Sequence, residues 1–485
     1  MSNHHDAPKV TSDHVLDSPE DVLSTLGKDG KRRWVYPSLS HGQFLRARRI
    51  VGWLLILLFT ALPWIKIHQK PAIFLDLVHR EFTFFGLTLY STDTGLVMAF
   101  LIGTMVAVFF ITALLGRVWC GWGCPQTVYL EFVYRPIERL IEGTEAARKR
   151  RDSGPHNWDK IWRKGLKYFI YILISLALAH TFVAYFVSWD ALIEWMLRPP
   201  KENWSFFVMM SLTTGLVLFD FAVFREQMCT ITCPYARLQS VLLDPDSMIV
   251  SYDPSRGEPR GRRTRKEREQ EKASLNIGKG DCIDCFACVR TCPTGIDIRD
   301  GLQMECIGCT QCIDACDHMM ISVGKPVGLI RYTSENALEN KRTRILRPRV
   351  LLYGAFLTLL TGVMIALIAV RTNLDVNIGR IASGESAFLQ VTDDTIANRL
   401  RFRIQNRKEP AQAQIRVVSP EGAELRVMGA QTFDVGTGET VRVQTLVIVP
   451  SEHFVNGSAD AVFEVELSNG LVERQTFSLL GPTGP

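Results

Sequence analysis

At 485 residues, with 55 Lys and Arg against 50 Asp and Glu for a formal net charge of +5, the chain is too long for one ordinary domain and too weakly charged to present the basic face of a nucleic-acid-binding protein. Apolar residues make up 47% and charged residues 22%, and a mean hydropathy of +0.08 means that the apolar content is gathered into particular stretches, so that part of the chain lies in a membrane. Twelve cysteines, clustered and absent after Cys316, exclude a secretory disulfide framework and indicate metal ligation in a reducing compartment.

Residues 1–45 read as a polar, poorly ordered cytoplasmic tail, without the basic start and apolar core of a signal peptide. Residues 46–248 read as a membrane region. Apolar stretches at 50–67, 95–115, 168–187 and 204–224, with a fifth at 350–370, each approach the ~20 residues that cross ~30 Å of hydrocarbon. They predict five transmembrane helices. Trp53, Trp64, Trp119, Trp189 and Trp204 suit the interfacial belt, and Lys66 can snorkel. Lys31, Arg32, Arg33, Arg46, Arg48 and Arg49 precede the first stretch, and Arg148, Lys149, Arg150 and Arg151 follow the second. The loops at 68–94 and 188–203 hold only Lys70 and Arg80, and Arg198 and Lys201. The positive-inside rule therefore puts the N-terminus and the segments 116–167 and 225–349 in the cytoplasm. Five crossings then leave the C-terminus outside. The run GRRTRKEREQEK at 261–272 reads as a solvated linker rather than a lipid or nucleic-acid patch.

Four cysteines form a repeat in this region. Cys120 and Cys124 stand in CGWGCP, and Cys229 and Cys233 in CTITCP, with an offset of 109 residues between copies. Each lies just past a predicted out-to-in helix, which suggests that helices one and two are duplicated as three and four. Residues at i and i+4 share a helix face, so each pair can present two sulfurs, with the proline stopping the helix. Packed side by side, four thiolates make a soft site for Cu(I), zinc or an iron–sulfur centre; the alternative is that they are small packing residues. His180 and Asp220 lie inside predicted helices, where ionisable groups are costly. A proton relay, a quinone contact or a copper ligand would each explain His180, against a helix-packing role. Met209 and Met210 read as packing before thioether ligands.

Residues 249–349 hold a linker and, over a core at 275–325, the run CIDCFACVRTCP followed by CIGCTQCIDACD. Cys282, Cys285, Cys288 and Cys292 keep the C-x2-C-x2-C-x3-C spacing followed by Pro293, and Cys306, Cys309, Cys312 and Cys316 repeat it. This is the ligand pattern of a bacterial ferredoxin with two [4Fe-4S] clusters, in which the fourth cysteine of each run serves the other cluster. One cluster is assigned to Cys282, Cys285, Cys288 and Cys316, and the other to Cys306, Cys309, Cys312 and Cys292. Zinc knuckles or disulfides give no reason for the doubled spacing. Asp317 stands where the pattern has a second proline.

After the fifth helix, residues 371–485 lack cysteine and alternate in short segments such as AFLQVTD, RLRFRIQN, AQIRVV, TVRVQTLVIV and AVFEVEL. They predict an antiparallel, immunoglobulin-like β-sandwich in the periplasm, without the Cys and Trp signature of a true immunoglobulin domain. The predicted fold class is multi-domain: an α-helical membrane bundle, an inserted two-cluster ferredoxin-like domain and an all-β immunoglobulin-like sandwich.

The five spans, both C-x3-C-P motifs, CPTGIDIRDGLQMECIGCTQCIDACD, SYDPSRGEPRG, KPVGLIRYTSENAL and the β-sandwich tail together resemble the CcoG/FixG/RdxA family of cytochrome c oxidase accessory polyferredoxins. The resemblance covers all but the first 45 residues. It implies a multi-pass protein of the bacterial inner membrane that reduces Cu(II) to Cu(I) for assembly of cbb3-type oxidase, a cupric reductase with Cys120, Cys124, Cys229 and Cys233 as its redox or copper site. The partners it implies are oxidase assembly factors and a copper-transporting ATPase; the spans themselves add membrane lipid, the electron donor is an unidentified cytoplasmic protein or quinol, and a homo-oligomer is left open. The chain is less closely similar to NapH-type quinol-linked polyferredoxins, which keeps a quinol-to-periplasm relay as an alternative. A non-catalytic assembly scaffold is another. A redox sensor would need an output module, and no flavin or nucleotide fingerprint is visible.

Overall fold

A computed structural model describes residues 24–25, 31–67, 70–78, 81–90, 93–272, 278–381, 388–392, 394–407 and 409–482. Most of the polar segment predicted as a tail, residues 1–23 and 26–30, lies outside the described residues. The chain divides into two compact units, residues 1–364 and 365–485.

In the first unit the long helices are α1 (Gln43–Ala61), α2 (Thr94–Leu115), α3 (Trp158–Val187), α4 (Trp204–Phe219, continued by a π-turn to Phe224), α5 (Gln311–Ser322) and α6 (Pro348–Val370), the last reaching into the second unit. Among the described residues four helices, α2, α3, α4 with its π-turn, and α6, are long and apolar enough to cross a membrane. The first of the five expected spans, α1, falls outside this set because it carries Arg46, Arg48 and Arg49 in its first two turns. Its uncharged part runs about 12 residues, or roughly 18 Å, before Pro63 closes the chain into the 3-10 turn Leu62–Trp64. Helix α3 begins ten residues before the expected 168, because its amphipathic first turns bury Lys160 and Lys167 on protein partners rather than in lipid. Lys160 Nζ donates to the Gly154 carbonyl at 2.8 Å, and Lys167 pairs with Glu142 at 3.0 Å. Outward-facing Leu54, Leu101, Leu212 and Leu352 leave apolar flanks on the helices.

Residues 31–42 are not a loose tail. Ser38 N donates to the Arg290 carbonyl at 2.9 Å, Thr291 Oγ1 to the Ser38 carbonyl at 3.1 Å, and Tyr36 OH to Asp152 at 2.6 Å. The iron–sulfur segment is closed by an antiparallel pair, Ile249–Tyr252 with Ile330–Thr333. Its core joins Val250, Tyr252, Ile296, Ile298, Ile313, Met320 and Leu329 to Cys282, Cys288 and Cys316.

Among the described residues the second unit is a sandwich of nine strands: β1 (Leu374–Arg380), β2 (Leu389–Thr392), β3 (Thr395–Asn406), β4 (Ala411–Ser419), β5 (Glu424–Val427), β6 (Thr432–Val435), β7 (Thr440–Pro450), β8 (Ser458–Leu467) and β9 (Val472–Leu480). One sheet runs β5-β7-β3-β1 with β2 also on β3, and the other runs β6-β4-β8-β9. The period-two pattern sends Leu400, Phe402 and Ile404 of β3 inward, where Phe402 meets Phe463 edge to face at 5.2 Å.

Candidate functional site

The two ferredoxin runs fold into two cavities. One, with about 350 Å³ of empty space, is walled by Cys292, Cys306, Cys309 and Cys312 with Val250, Ile296 and Ile307, and Cys288 borders it. The other, about 340 Å³, is walled by Cys282, Cys285, Cys288 and Cys316 with Met320, Leu329 and Ile330. The last cysteine of each run thus turns to the cavity of the other run. Cys292 does so because Pro293 ends its helix. Cys316 does so from within α5, which runs on through Asp317. Asp317 takes no part in a turn there: its carboxylate accepts from Gly328 N at 2.8 Å.

Among the described residues no three His, Cys, Asp or Glu come close enough together to hold a single metal ion. Four thiols spread over the wall of an apolar cavity suit a multi-iron cluster, in which each sulfur meets its own iron. Burial pushes the thiols of Cys288, Cys309 and Cys316 up to about 12. Such thiols become thiolates when a bound metal centre supplies the compensating charge.

The two C-x3-C-P segments lie against this module. Helix α2 ends at Gly116, φ 61°, and the π-turn after α4 ends at Arg225, φ 57°, so the same left-handed break recurs at the 109-residue offset, four residues before each first cysteine. At Gly116 only glycine fits, since a Cβ would lie 2.1 Å from the Met248 carbonyl oxygen. The expected single helix face is not formed. Cys120 sits in the short helix Val118–Trp122, whereas Cys229 sits in the π-turn Met228–Thr232, and Cys124 and Cys233 are extended residues beyond them. Pro125 and Pro234 do not stop a helix. They start the next one, where a missing N–H costs nothing.

Cys120 packs with Ile307 and Cys309, and Cys229 and Tyr235 close the same cluster. The contact is tight, since a Cβ on Gly121 would lie 2.7 Å from the carbonyl oxygens of both Ile307 and Gly308. Cys120 Sγ donates to Gln239 Oε1 at 3.0 Å, and Gln239 Nε2 donates to Thr112 Oγ1 at 2.9 Å and Tyr235 OH at 2.7 Å. Burial pushes the Cys120 thiol up to about 11 and that of Cys229 up to about 12, with Arg117 pulling both the other way.

A buried ionic platform supports the junction. Arg225 donates to Glu138 at 2.7 and 3.1 Å and Arg148 to the same carboxylate at 3.0 Å. Arg135 bonds Glu131, Glu226 and the Pro293 carbonyl, and Gln311 Nε2 donates to Glu131 at 3.1 Å. Gln126 joins the two repeats by donating to Asp220 and to the Arg225 carbonyl, both at 3.0 Å. His180 is not drawn into this network. Its Nδ1 meets the Leu176 carbonyl of its own helix at 2.8 Å, and among the described residues no contact joins it to the four thiols. Met210 packs beside Leu192.

Membrane-length helices, a dicluster ferredoxin module seated on a duplicated pair of cysteine motifs, and an immunoglobulin-like sandwich together define a membrane-bound polyferredoxin. The 4Fe-4S dicluster domain family matches residues 224–335, a 4Fe-4S binding domain matches 97–143, and the Ig-like fold at the C-terminus of FixG matches 364–482. The nitrogen fixation protein FixG of Rhizobium meliloti (strain 1021) is 32% identical over 487 residues, covering 92% of this chain and 91% of that protein. Protein RdxA of Cereibacter sphaeroides is 32% identical over 422 residues, covering 83% and 86%. The ferredoxin-type protein NapH of Haemophilus influenzae is 26% identical over 232 residues, covering 44% and 65%. The chain belongs to the FixG/RdxA family. It is an iron–sulfur electron-transfer protein that binds [4Fe-4S] clusters.

The sequence pointed to all twelve cysteines. It did not point to Arg48, Arg117, Gln239, Glu131 or Gln311, whose positions arise only from the docking of segments distant in the chain.

Proposed function

We propose that this protein is a membrane-bound cupric reductase that converts Cu(II) to Cu(I) for the assembly of cbb3-type cytochrome c oxidase, with the ferredoxin module and N-terminus in the cytoplasm and the sandwich in the periplasm. The reading is carried by one observation: Cys120 is buried against Cys309 of the ferredoxin module, and the half-buried Cys229 packs on the same cluster. Two of the four motif thiols thus meet a cysteine assigned to the iron–sulfur centres.

In this reading Cys282, Cys285, Cys288 and Cys316 hold one cluster, and Cys292, Cys306, Cys309 and Cys312 the other. Bound there, [4Fe-4S] clusters supply one-electron carriers at low potential. Cys120, Cys124, Cys229 and Cys233 receive copper as substrate. Their thiolates favour Cu(I) over Cu(II), which pulls a one-electron reduction forward. Gln239 holds the Cys120 sulfur toward Ile307 and Cys309, and the tight seam at Gly121 keeps solvent out. By resemblance, oxidase assembly factors and a copper-transporting ATPase receive the product.

Replacing all four motif cysteines by serine in full-length, anaerobically purified protein is expected to remove bound copper and lower the rate of Cu(II) reduction by at least about tenfold, as loss of metal ligands does, with iron content unchanged. Undiminished reduction would remove these residues from the mechanism. The likeness to NapH supports a second reading, a quinol-linked relay. It predicts quinol oxidation by the same preparation with no copper bound.

A further inference from the structure

Two buried guanidiniums lie in the seam between the CGWGC segment and the loop 304–309. Arg48, 1% exposed, donates through Nε to the Gly121 carbonyl at 3.0 Å, and Phe132 covers its plane at 5.6 Å. Arg117, 6% exposed, donates through Nη1 to the Met304 carbonyl. Among the described residues, Nη1 and Nη2 of Arg48 and Nε and Nη2 of Arg117 have no hydrogen-bond partner of their own. Buried cationic donors without acceptors are costly, and they call for an anionic group in front of them.

Their charge falls on sulfur. Arg48 acts on Cys309, and Arg117 acts at once on Cys306 of the ferredoxin and on Cys120 and Cys229 of the motifs. One carboxylate also lies within the field of Arg48, that of Glu131, but its oxygens accept from Arg135 and Gln311.

The other cavity differs. Its neighbouring cation, Arg299, is bound to Asp297 through Nε at 2.8 Å and Nη2, and to Asp284 through Nη1. The carboxylate of Asp317, which accepts from Gly328 N, adds its negative charge beside Cys316. One cavity therefore has two cations with N–H groups that no other side chain occupies, set against the single carboxylate of Glu305 beside Cys306, while the other has a cation already neutralised by Asp297 and Asp284 and the acid Asp317 besides.

Net charge and hydrogen bonds to sulfur are the protein's main levers on iron–sulfur potential. A reduced centre carries one more negative charge than an oxidised one, and a buried cation favours it. We propose that Arg48 and Arg117 raise the reduction potential of the centre held by Cys292, Cys306, Cys309 and Cys312 above that of its partner, so that an electron entering the module settles beside Cys120 and Cys229. One electron is taken from a low-potential cytoplasmic donor, no bond is made or broken, and no proton moves. The inference rests on the electron-transfer reading and on the cysteine assignment above, and not on copper as the acceptor.

The test is a reductive titration with dithionite of the full-length, anaerobically purified protein, followed by EPR and without copper. Arg48→Met and Arg117→Met are each expected to lower the reduced-to-oxidised ratio of one of the two signals about tenfold at fixed poise, about 59 mV for a one-electron couple, and to leave the other signal in place. Arg48→Lys and Arg117→Lys, which keep the charge, are expected to stay near wild type. Asp297→Asn, beside the other cavity, is expected to move the second signal upward and so assigns the two. The proposal is overturned if the methionine variants titrate as wild type, if both signals move together, or if the signal they move is the one that Asp297→Asn moves. Should the methionine variants lose iron, the lysine variants decide: iron retained at wild-type potentials supports the proposal, and a shifted potential or lost iron overturns it. A negative result leaves the cupric reading standing, and failure of Cu(II) reduction leaves the potentials as measured.

Discussion

Glu138 shows how a charged side chain is kept inside the junction. Burial alone would raise its pKa, but Arg225, with Lys167 and Arg148 behind it, brings the carboxyl down to about 2 from its ordinary 4.5. A folded-state pKa below the unfolded one contributes stability above the unfolded value and loses it as pH falls toward the folded value. The contribution of Glu138 is therefore complete above about pH 4.5 and lost between there and about pH 2. Glu138→Gln strands Arg225 and Arg148 in a buried site and is expected to cost about 3–5 kcal/mol near neutral pH. Denaturant unfolding of both proteins across pH checks this: the gap should be constant from neutrality to about pH 5 and should narrow below it, and a gap independent of pH would assign the stability elsewhere. At this scale the sequence was legible where ligand spacing is local, as in the eight ferredoxin cysteines. It was not legible at Arg48 or Arg117, because an arginine beside an apolar stretch satisfies the positive-inside pattern wherever its side chain ends up.

At the scale of elements, α1 is held by a residue from the iron–sulfur module. Its N-cap, Gly42, has no side chain to offer, and the Asp314 carboxylate of α5 accepts instead from Phe44 N at 3.2 Å and Leu45 N at 2.7 Å. Glycine is required there, because a Cβ would lie 2.1 Å from Asp314 Oδ1. Asp314 lies between Cys312 and Cys316, so the helix that carries two thiols also caps a helix of the membrane region. Asp314→Ala should cost about 0.5–2 kcal/mol, the usual range for a lost N-cap. Hydrogen exchange at the amides of Phe44 and Leu45 should then quicken up to about tenfold, which is what 1.4 kcal/mol gives, while Asp314→Asn, which keeps an acceptor, should recover most of the protection. Unchanged exchange in the alanine variant would show that the cap contributes nothing. None of this was legible, because SLSHGQ reads as loop until its partner 270 residues away is in place. The sandwich strands were legible through alternation, most clearly in β3 and β7, whereas β5, β6 and β9 are shorter or more polar and gave no such signal. The proline of each cysteine motif was read with the wrong sign: proline is compatible with the end of one helix and the start of the next, and only the backbone decides.

At the scale of the whole first unit, parity decides what hydropathy left open about α1. Residues 31–42 are bonded to the ferredoxin module through Ser38, Arg290 and Thr291. The segment after α4 reaches the same region, since Arg32 pairs with Glu226 at 2.9 Å and Arg135 links Glu226 to Pro293. A chain that leaves this region at residue 42 and returns to it at 225 makes an even number of crossings. Helices α2, α3 and α4 supply three, so α1 supplies the fourth. Its far end agrees: Tyr185, near the end of α3, donates to the Phe59 carbonyl at 2.7 Å, and Trp64 stacks on Trp189 at 4.3 Å. An uncharged run of roughly 18 Å reaches across by local thinning of the bilayer and by snorkelling at its ends, where Arg46, Arg49 and Lys66 stand. If the ferredoxin side lies in the cytoplasm, as proposed above, alkaline phosphatase inserted between the exposed Leu77 and Val78 is expected to be active, as is phosphatase at the C-terminus, while a fluorescent reporter at the N-terminus should be bright. Silent phosphatase after Leu77 with active phosphatase at the C-terminus would mean that α1 turns back. The bonds from Ser38 to the iron–sulfur module and the Phe59–Tyr185 contact would then be incompatible with one bilayer.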